Sequence, residues 1–182
     1  MMLSPDTQSH SAGAAVAEDG ARDQLVWRHE VAPEDVDRIR ALVAGTGFFN
    51  AAEVDVAADL VGERLVKGNR SGYAFLMAER GSALAGFACY GQIDGTRDSF
   101  ELYWIAVVPE AQRRGLGAQI YARAEAAMRE AGAKHIYADT SSSERYAPTR
   151  GFYRRMGFAE QALLPDFYAP GDGKIILVKT LA

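Results

Sequence analysis

A run of apolar residues gives way to a helical stretch through Gln112-Arg113-Arg114-Gly115-Leu116-Gly117. Glycines at 115 and 117 let the chain turn tightly and come close to a bound group, because no Cβ intervenes. A helix that starts here offers unpaired N–H groups at its positive dipole end, so the segment suits an anion such as a phosphate. Arg113 and Arg114 strengthen that field, and the Gln112 amide has a hydrogen bond to donate. A glycine pair of this kind also starts helices that bind nothing, so its surroundings carry much of the weight.

Further polar groups lie where a ligand could meet them. Asp139 and Thr140 end a strand-like run, where a polar pair could contact a ligand. Leu164-Pro165-Asp166-Phe167-Tyr168-Ala169-Pro170-Gly171-Asp172-Gly173 is dense in aromatics, acids and turn residues, a composition that fits a small amine better than an anion. If Asp166 or Asp172 receives an ammonium, acidic ligands should be disfavoured there. Phe48, Phe49 and Asn50, between two helical patterns, are expected to form the facing wall. His29 and His135 have no second ligand at metal spacing, so no metal site is expected. Cys89, the sole cysteine, lies in an apolar run and reads as a small core residue.

These groups need a scaffold, and 182 residues suffice for one domain with a full core. Residues 1–22 hold almost no large apolar side chains and are expected to be a disordered tail, with a single domain over 23–182. A strand at Leu25 to Trp27 leads to a helix opened by Pro33, with Glu34 and Asp35 in its first turn, an apolar face of Val36, Ile39, Leu42 and Val43, and a stop at Gly45 and Gly47. Asn50 and Glu53 form a capping pair for a second helix with the stripe Val54, Ala58, Val61 and Leu65. Tyr73 to Glu79, Leu84 to Ile93 and Ser99 to Val108 read as three antiparallel strands joined by tight turns. A helix with Ile120, Ala124, Ala127 and Met128 on one face follows, then a strand from His135 to Thr140, a short helix from Pro148 to Met156, and two strands flanking the loop from Pro165 to Gly173. The order β-α-α-β-β-β-α-β-α-β-β is that of a mixed α/β sheet with helices on its faces.

A net charge of −4 and a pI near 5.4 argue against a nucleic-acid surface. No apolar run is long enough to cross a bilayer. A cytoplasmic, soluble protein is expected, as monomer or homodimer.

The strand-loop-helix segment "IAVVPEAQRRGLGAQIY" and the downstream "APTRGFYRRMGF" resemble the two cofactor-contacting motifs of the GNAT superfamily of N-acetyltransferases, and the element order is similar over about residues 23–182. The resemblance implies a mostly antiparallel sheet of about seven strands flanked by four helices, with one splayed central pair. It also implies acetyl-CoA as co-substrate. By position, the main-chain amides of Arg113, Arg114, Gly115, Leu116, Gly117 and Ala118 would hold the pyrophosphate. The free edge of Ile105, Ala106 and Val107 would pair with the pantetheine arm, and the Ile105 N–H would face the thioester oxygen. Phe152 would line the cofactor, and one of Arg150, Arg154 and Arg155 could reach a phosphate.

The same resemblance assigns Glu101 as general base, with Tyr103 on its strand face near the acceptor, and Tyr153 as the acid that protonates the leaving thiolate. An amine is protonated near neutral pH and must lose a proton before it attacks, which calls for such a base. Tyr153 reads as the free member of its segment because Phe152 and Phe158 are the better core candidates. The acceptor would meet Phe49, Tyr103, Asp139, Asp166 and Tyr168. A small-molecule amine is expected; a protein N-terminus or lysine, or a non-catalytic acyl-CoA-binding module, are the alternatives. A dinucleotide-dependent oxidoreductase is excluded because Ile120 stands where its third glycine would be and too little chain follows Asp139.

Overall fold

The structure is a computed structural model that describes residues 24–182. The tail expected at 1–22 lies outside the described residues. Among the described residues, seven strands and four α-helices run in the order β1 (Leu25–Arg28), α1 (Asp35–Gly45), α2 (Ala51–Lys67), β2 (Ala74–Arg80), β3 (Ala83–Gln92), β4 (Ser99–Val107), α3 (Leu116–Glu130), β5 (His135–Ser141), α4 (Ala147–Arg155), β6 (Ala159–Ala169) and β7 (Asp172–Thr180).

Local chemistry accounts for most boundaries. Asn50 caps α2 by accepting from the Glu53 N–H at 3.0 Å, and the Glu53 carboxylate returns a bond to the Asn50 N–H at 2.8 Å. Gly68, at φ +57°, ends that helix where a side chain would be strained. Val54, Ala57, Ala58 and Val61 make its buried face, whereas Leu65, expected in the stripe, is 38% exposed. Asp35, expected to serve the helix dipole, does something more specific. It is fully buried and accepts from Arg28 and Arg38, which also bind Glu79, so one carboxylate pair ties β1, α1 and β2 together.

The sheet order is β1-β2-β3-β4-β5-β7-β6, antiparallel throughout except between β4 and β5. That parallel ladder is three pairs long: Ser99 with His135, Phe100 with Ile136, and Glu101 with Tyr137. Beyond it β4 stays on β3 as far as Val107 opposite Gly86, while β5 stays on β7 as far as Ser141 opposite Lys174. The two strands therefore fork, which is the splayed pair that the resemblance implied.

Two cores cover the two faces. Ile120, Tyr121, Ala124 and Met128 of α3 pack with Tyr153, Phe100, Leu102 and Ile136; Ile39, Val43 and Val61 of α1 and α2 pack with Phe75, Met77, Phe87 and Cys89. The seat of α3 on β3 depends on Gly86, where a Cβ would stand 2.7 Å from Ile120 Cδ1 and 2.9 Å from the Ala106 oxygen.

The segment expected as a loop from Pro165 to Gly173 is a strand hairpin. β6 continues to Ala169 and β7 starts at Asp172, leaving Pro170 and Gly171 as the turn. Pairing is interrupted between Leu164 and Ala169, and Asp166 takes φ +54° inside that bulge. Proline and turn-forming residues look like a loop when read along the chain, yet a bulge on an edge strand absorbs them without ending it.

Candidate active site

The fork leaves one edge of β4 without a strand partner. Val108 donates its N–H to the Ala85 oxygen on β3 at 3.0 Å. Since main-chain groups alternate sides along a strand, the N–H groups of Ile105 and Val107 point the other way, into the fork. An irregularity helps to set this phase. Tyr90 opposes Leu102 and Cys89 opposes Trp104, so Tyr103 is an extra residue in β4. Phe100 and Leu102 pack on the α3 side, and so do Ile105 and Val107, while Tyr103 and Trp104 both join the opposite cluster.

Just past β4 a short 3-10 turn, Pro109–Ala111, leads to Arg113 at φ +58° and Gly115 at φ +84°, and α3 starts without a side-chain cap. Gln119 donates back to the Gly115 oxygen at 3.1 Å. Among the described residues, none of the main-chain N–H groups from Arg113 to Ala118 has a hydrogen-bond acceptor in the protein. Six successive free donors beside two unpaired guanidiniums are what a diphosphate requires. Gln112, expected to serve the ligand, instead gives an amide hydrogen to the Val107 oxygen at 3.0 Å and so braces the loop against β4. Gly117 brings the start of α3 against α4, because a Cβ there would touch the Phe152 ring at 3.5 Å.

Glu101 is the last β4 residue in the parallel ladder. Its carboxyl is half-buried, and desolvation followed by the Asp139 charge pushes its pKa up, with Lys174 opposing. Among the described residues it has no hydrogen-bond partner. An upward-shifted carboxyl with no hydrogen-bond partner is a candidate for proton transfer.

Tyr153 departs from expectation. It is 5% exposed and belongs to the core, with ring centres 5.3 Å from Phe158 and 5.5 Å from Phe152, while Phe152 is only partly buried. Burial, and then Asp139, raise its phenol well above the usual tyrosine range. Proton release from this group is harder than from a free phenol, a cost the sequence reading left out.

Where an acceptor was expected, aromatic rings pair: Phe49 packs on Trp104 at 4.9 Å, Tyr73 on Tyr103 at 5.2 Å, and Phe48 on Tyr146 at 6.0 Å. The Tyr103 phenol is pushed up to about 12, first by burial and then by Glu101. The acids expected to receive an ammonium are already engaged. Asp166 accepts the Gly171 N–H at 2.7 Å, and Asp172 accepts from Ser141 Oγ. Asp139 accepts from Tyr168 Oη at 3.2 Å and forms an ion pair with Lys174. Hence Asp166 stabilises its own turn. Thr140, next to Asp139 in sequence, is buried. Lys174, whose charge acts on Glu101, was missed because its place depends on strand pairing; Trp104 and Tyr146 were missed because their contacts with Phe49 and Phe48, including Tyr146 Oη to the Phe48 oxygen at 3.4 Å, join segments distant in sequence.

A forked sheet whose open edge adjoins a loop of free amides has room for an extended, phosphate-bearing ligand alongside one strand. The sequence profile of the Acetyltransferase (GNAT) family matches residues 37–158, and the chain belongs to that family. It is therefore an acetyltransferase, with acetyl-CoA as co-substrate. A GNAT-family structure from Desulfovibrio desulfuricans is 42% identical, with TM-score 0.85 over 87% of this chain and 100% of its own. The fold is shared at 20% identity with the ribosomal-protein-S18-alanine N-acetyltransferase of Escherichia coli (TM-score 0.67, 87% of this chain, 95% of that one). It is also shared at 18% identity with the PaiA N-acetyltransferase of Thermoplasma acidophilum in complex with coenzyme A (TM-score 0.67, 87% and 99%). No curated protein sequence matches the chain. No described helix is long and apolar enough to cross a membrane.

Proposed function

We propose that the enzyme transfers the acetyl group of acetyl-CoA directly to the primary amine of a small molecule, with Glu101 as base. The observation that carries this reading is the placement of Glu101 at the fork, four residues before Ile105, whose N–H points into the opening. Bound acetyl-CoA supplies a thioester whose carbonyl carbon takes the amine and whose sulfur leaves. The free amides from Arg113 to Ala118 hold the diphosphate, with Arg113 and Arg114 adding charge, and Ile105, Ala106 and Val107 lie along the pantetheine beside Phe152. Glu101 withdraws the acceptor's proton. The Ile105 N–H stabilises charge developing on the thioester oxygen, a contribution of about 3 kcal/mol for one fixed donor. Tyr153 returns a proton to the departing sulfur, a step made feasible once that sulfur carries negative charge.

A small acceptor is supported by the bridges across the Glu101 face. The turn at Glu144–Tyr146 reaches the α1–α2 connection through Arg145 to the Gly47 oxygen and Tyr146 to the Phe48 oxygen, and Tyr168 crosses from the hairpin to Asp139. These links narrow the approach. Phe49, Tyr103 and Tyr168 contribute aromatic surface for the acceptor's body. We place the enzyme in the cytoplasm, as monomer or homodimer, consistent with its one buried thiol. Thiol release from acetyl-CoA against amino acids, polyamines, aminoglycosides and peptides tests the reading. Turnover of a small amine supports it, and turnover of peptides alone overturns the acceptor class.

A further inference from the structure

Lys174 has no counterpart in the motifs that point to acetyl transfer, yet three parts of the site meet at its side chain. Its ammonium pairs with Asp139 Oδ2 and lies 5.1 Å from the centre of the Phe167 ring. On β7 it stands opposite Ser141 of β5 on one side and Leu164 of β6 on the other. Tyr168 donates to the second oxygen of the same carboxylate, Asp139 Oδ1. One carboxylate on the β5 arm of the fork is thus gripped from two points of the β6–β7 hairpin.

We propose that Lys174 is a positioning residue for acetyl transfer: with Tyr168 it clamps Asp139, fixes the hairpin against β5, and balances the negative charge that Asp139 brings to Glu101. The proposal rests on the reading of Glu101 as base.

A purely structural account explains less. Lys174 and Asp139 are 24% and 31% exposed, and an ion pair with that much solvent adds little to stability. Its effect on a neighbouring charge survives that screening better, because Glu101 is half-buried. Tyr137 of β5 is in register opposite Glu101, and Asp139 lies two residues further on the same face of β5; these two, Lys174 from β7 and the Tyr103 phenol on its own strand are the titratable groups around Glu101. Burial and Asp139 favour the protonated acid, and Lys174 favours the carboxylate. The clamp also occupies both oxygens of Asp139, so an acceptor ammonium meets Glu101 as the unengaged carboxylate.

The two charges act on Glu101 with opposite sign, and that makes the test decisive. The pH profile of kcat/KM and a 13C titration of the Glu101 carboxyl carbon are measured on the full chain and on Asp139→Asn, Lys174→Met and Lys174→Arg. Asp139→Asn moves the midpoint and the acid limb to lower pH, and Lys174→Met moves both to higher pH. A shift of about one pH unit is a tenfold change in kcat/KM at a fixed pH on that limb. Lys174→Arg restores the original position. Lys174→Gln replaces the methionine variant if that one fails to fold. Shifts in the same direction, or an unmoved carbon titration, overturn the proposal. If the carbon titration moves as described while the rate profile stays in place, the charge balance stands and Glu101 is not the base.

Discussion

Glu101 is paired with Tyr137, and no residue after it on β4 has a partner on β5. The proposed base therefore stands where the three-pair ladder ends and the opening proposed for the thioester begins. From Glu101 to Ile105 is four strand residues, about 13 Å at ordinary strand rise, less what the extra residue at Tyr103 takes up. That span leaves room for the acceptor's amine and the thioester carbonyl between the Glu101 carboxylate and the Ile105 N–H.

Glu101→Gln should lower kcat/KM by roughly 100- to 10,000-fold and abolish the acid limb of the pH profile. Because burial and Asp139 raise its pKa, activity rises with pH as Glu101 ionises, in a range above that of an ordinary glutamate. Glu101→Asp should keep part of the rate, since a carboxylate is retained on a shorter side chain. Steady-state kinetics between pH 5 and 9 check both statements. An acid limb that persists in the glutamine variant removes Glu101 as the base.

Tyr153→Phe should reduce kcat by about tenfold or more while the KM for acetyl-CoA changes little. The ring keeps its place between Phe152 and Phe158, so the loss is that of the hydroxyl proton. A thiol ester with a more acidic leaving group should recover much of the rate. Equal effects on both esters would assign Tyr153 to packing alone.

Replacing Arg113 and Arg114 together with alanine should raise the KM for acetyl-CoA several-fold at low salt and leave kcat unchanged. The main-chain amides remain, so binding is weakened without being lost. Screening of exposed charges should narrow the gap between variant and parent near 1 M salt. A salt-independent difference would indicate that the substitutions distort the loop, where Arg113 already holds φ +58°.

Asp35→Asn should cost about 3 kcal/mol, the usual result of removing one partner from a buried ion pair. Burial by itself would raise the Asp35 carboxyl, but hydrogen bonds from Arg28 and the Ala32 N–H hold it below the ordinary aspartate value. With the folded pKa depressed, this stabilisation is fully present above about pH 4 and is lost as pH falls through the lower folded value. Melting temperature against pH should fall steeply below pH 4 in the parent and less so in the variant.

Much of this was legible in the order of residues. Asn50 and Glu53 announce their capping box, Gly68 its helix end, and Arg113 to Gly117 the tight turn that opens a helix, because each depends on groups within a few residues of one another. The two family motifs likewise lie in short continuous stretches. Where the reading fell short, the cause was distance along the chain. Asp139, Lys174 and Tyr168 become a clamp only when β7 inserts between β5 and β6, and that pairing leaves no mark on any one of the three segments. Tyr153 enters the core because α4 turns that side to the sheet, which apolar ranking among Phe152, Tyr153 and Phe158 does not show. Backbone propensity and capping are local energies and are written into the sequence. Burial, charge coupling and the end of a strand ladder are sums over neighbours that only the folded chain brings together.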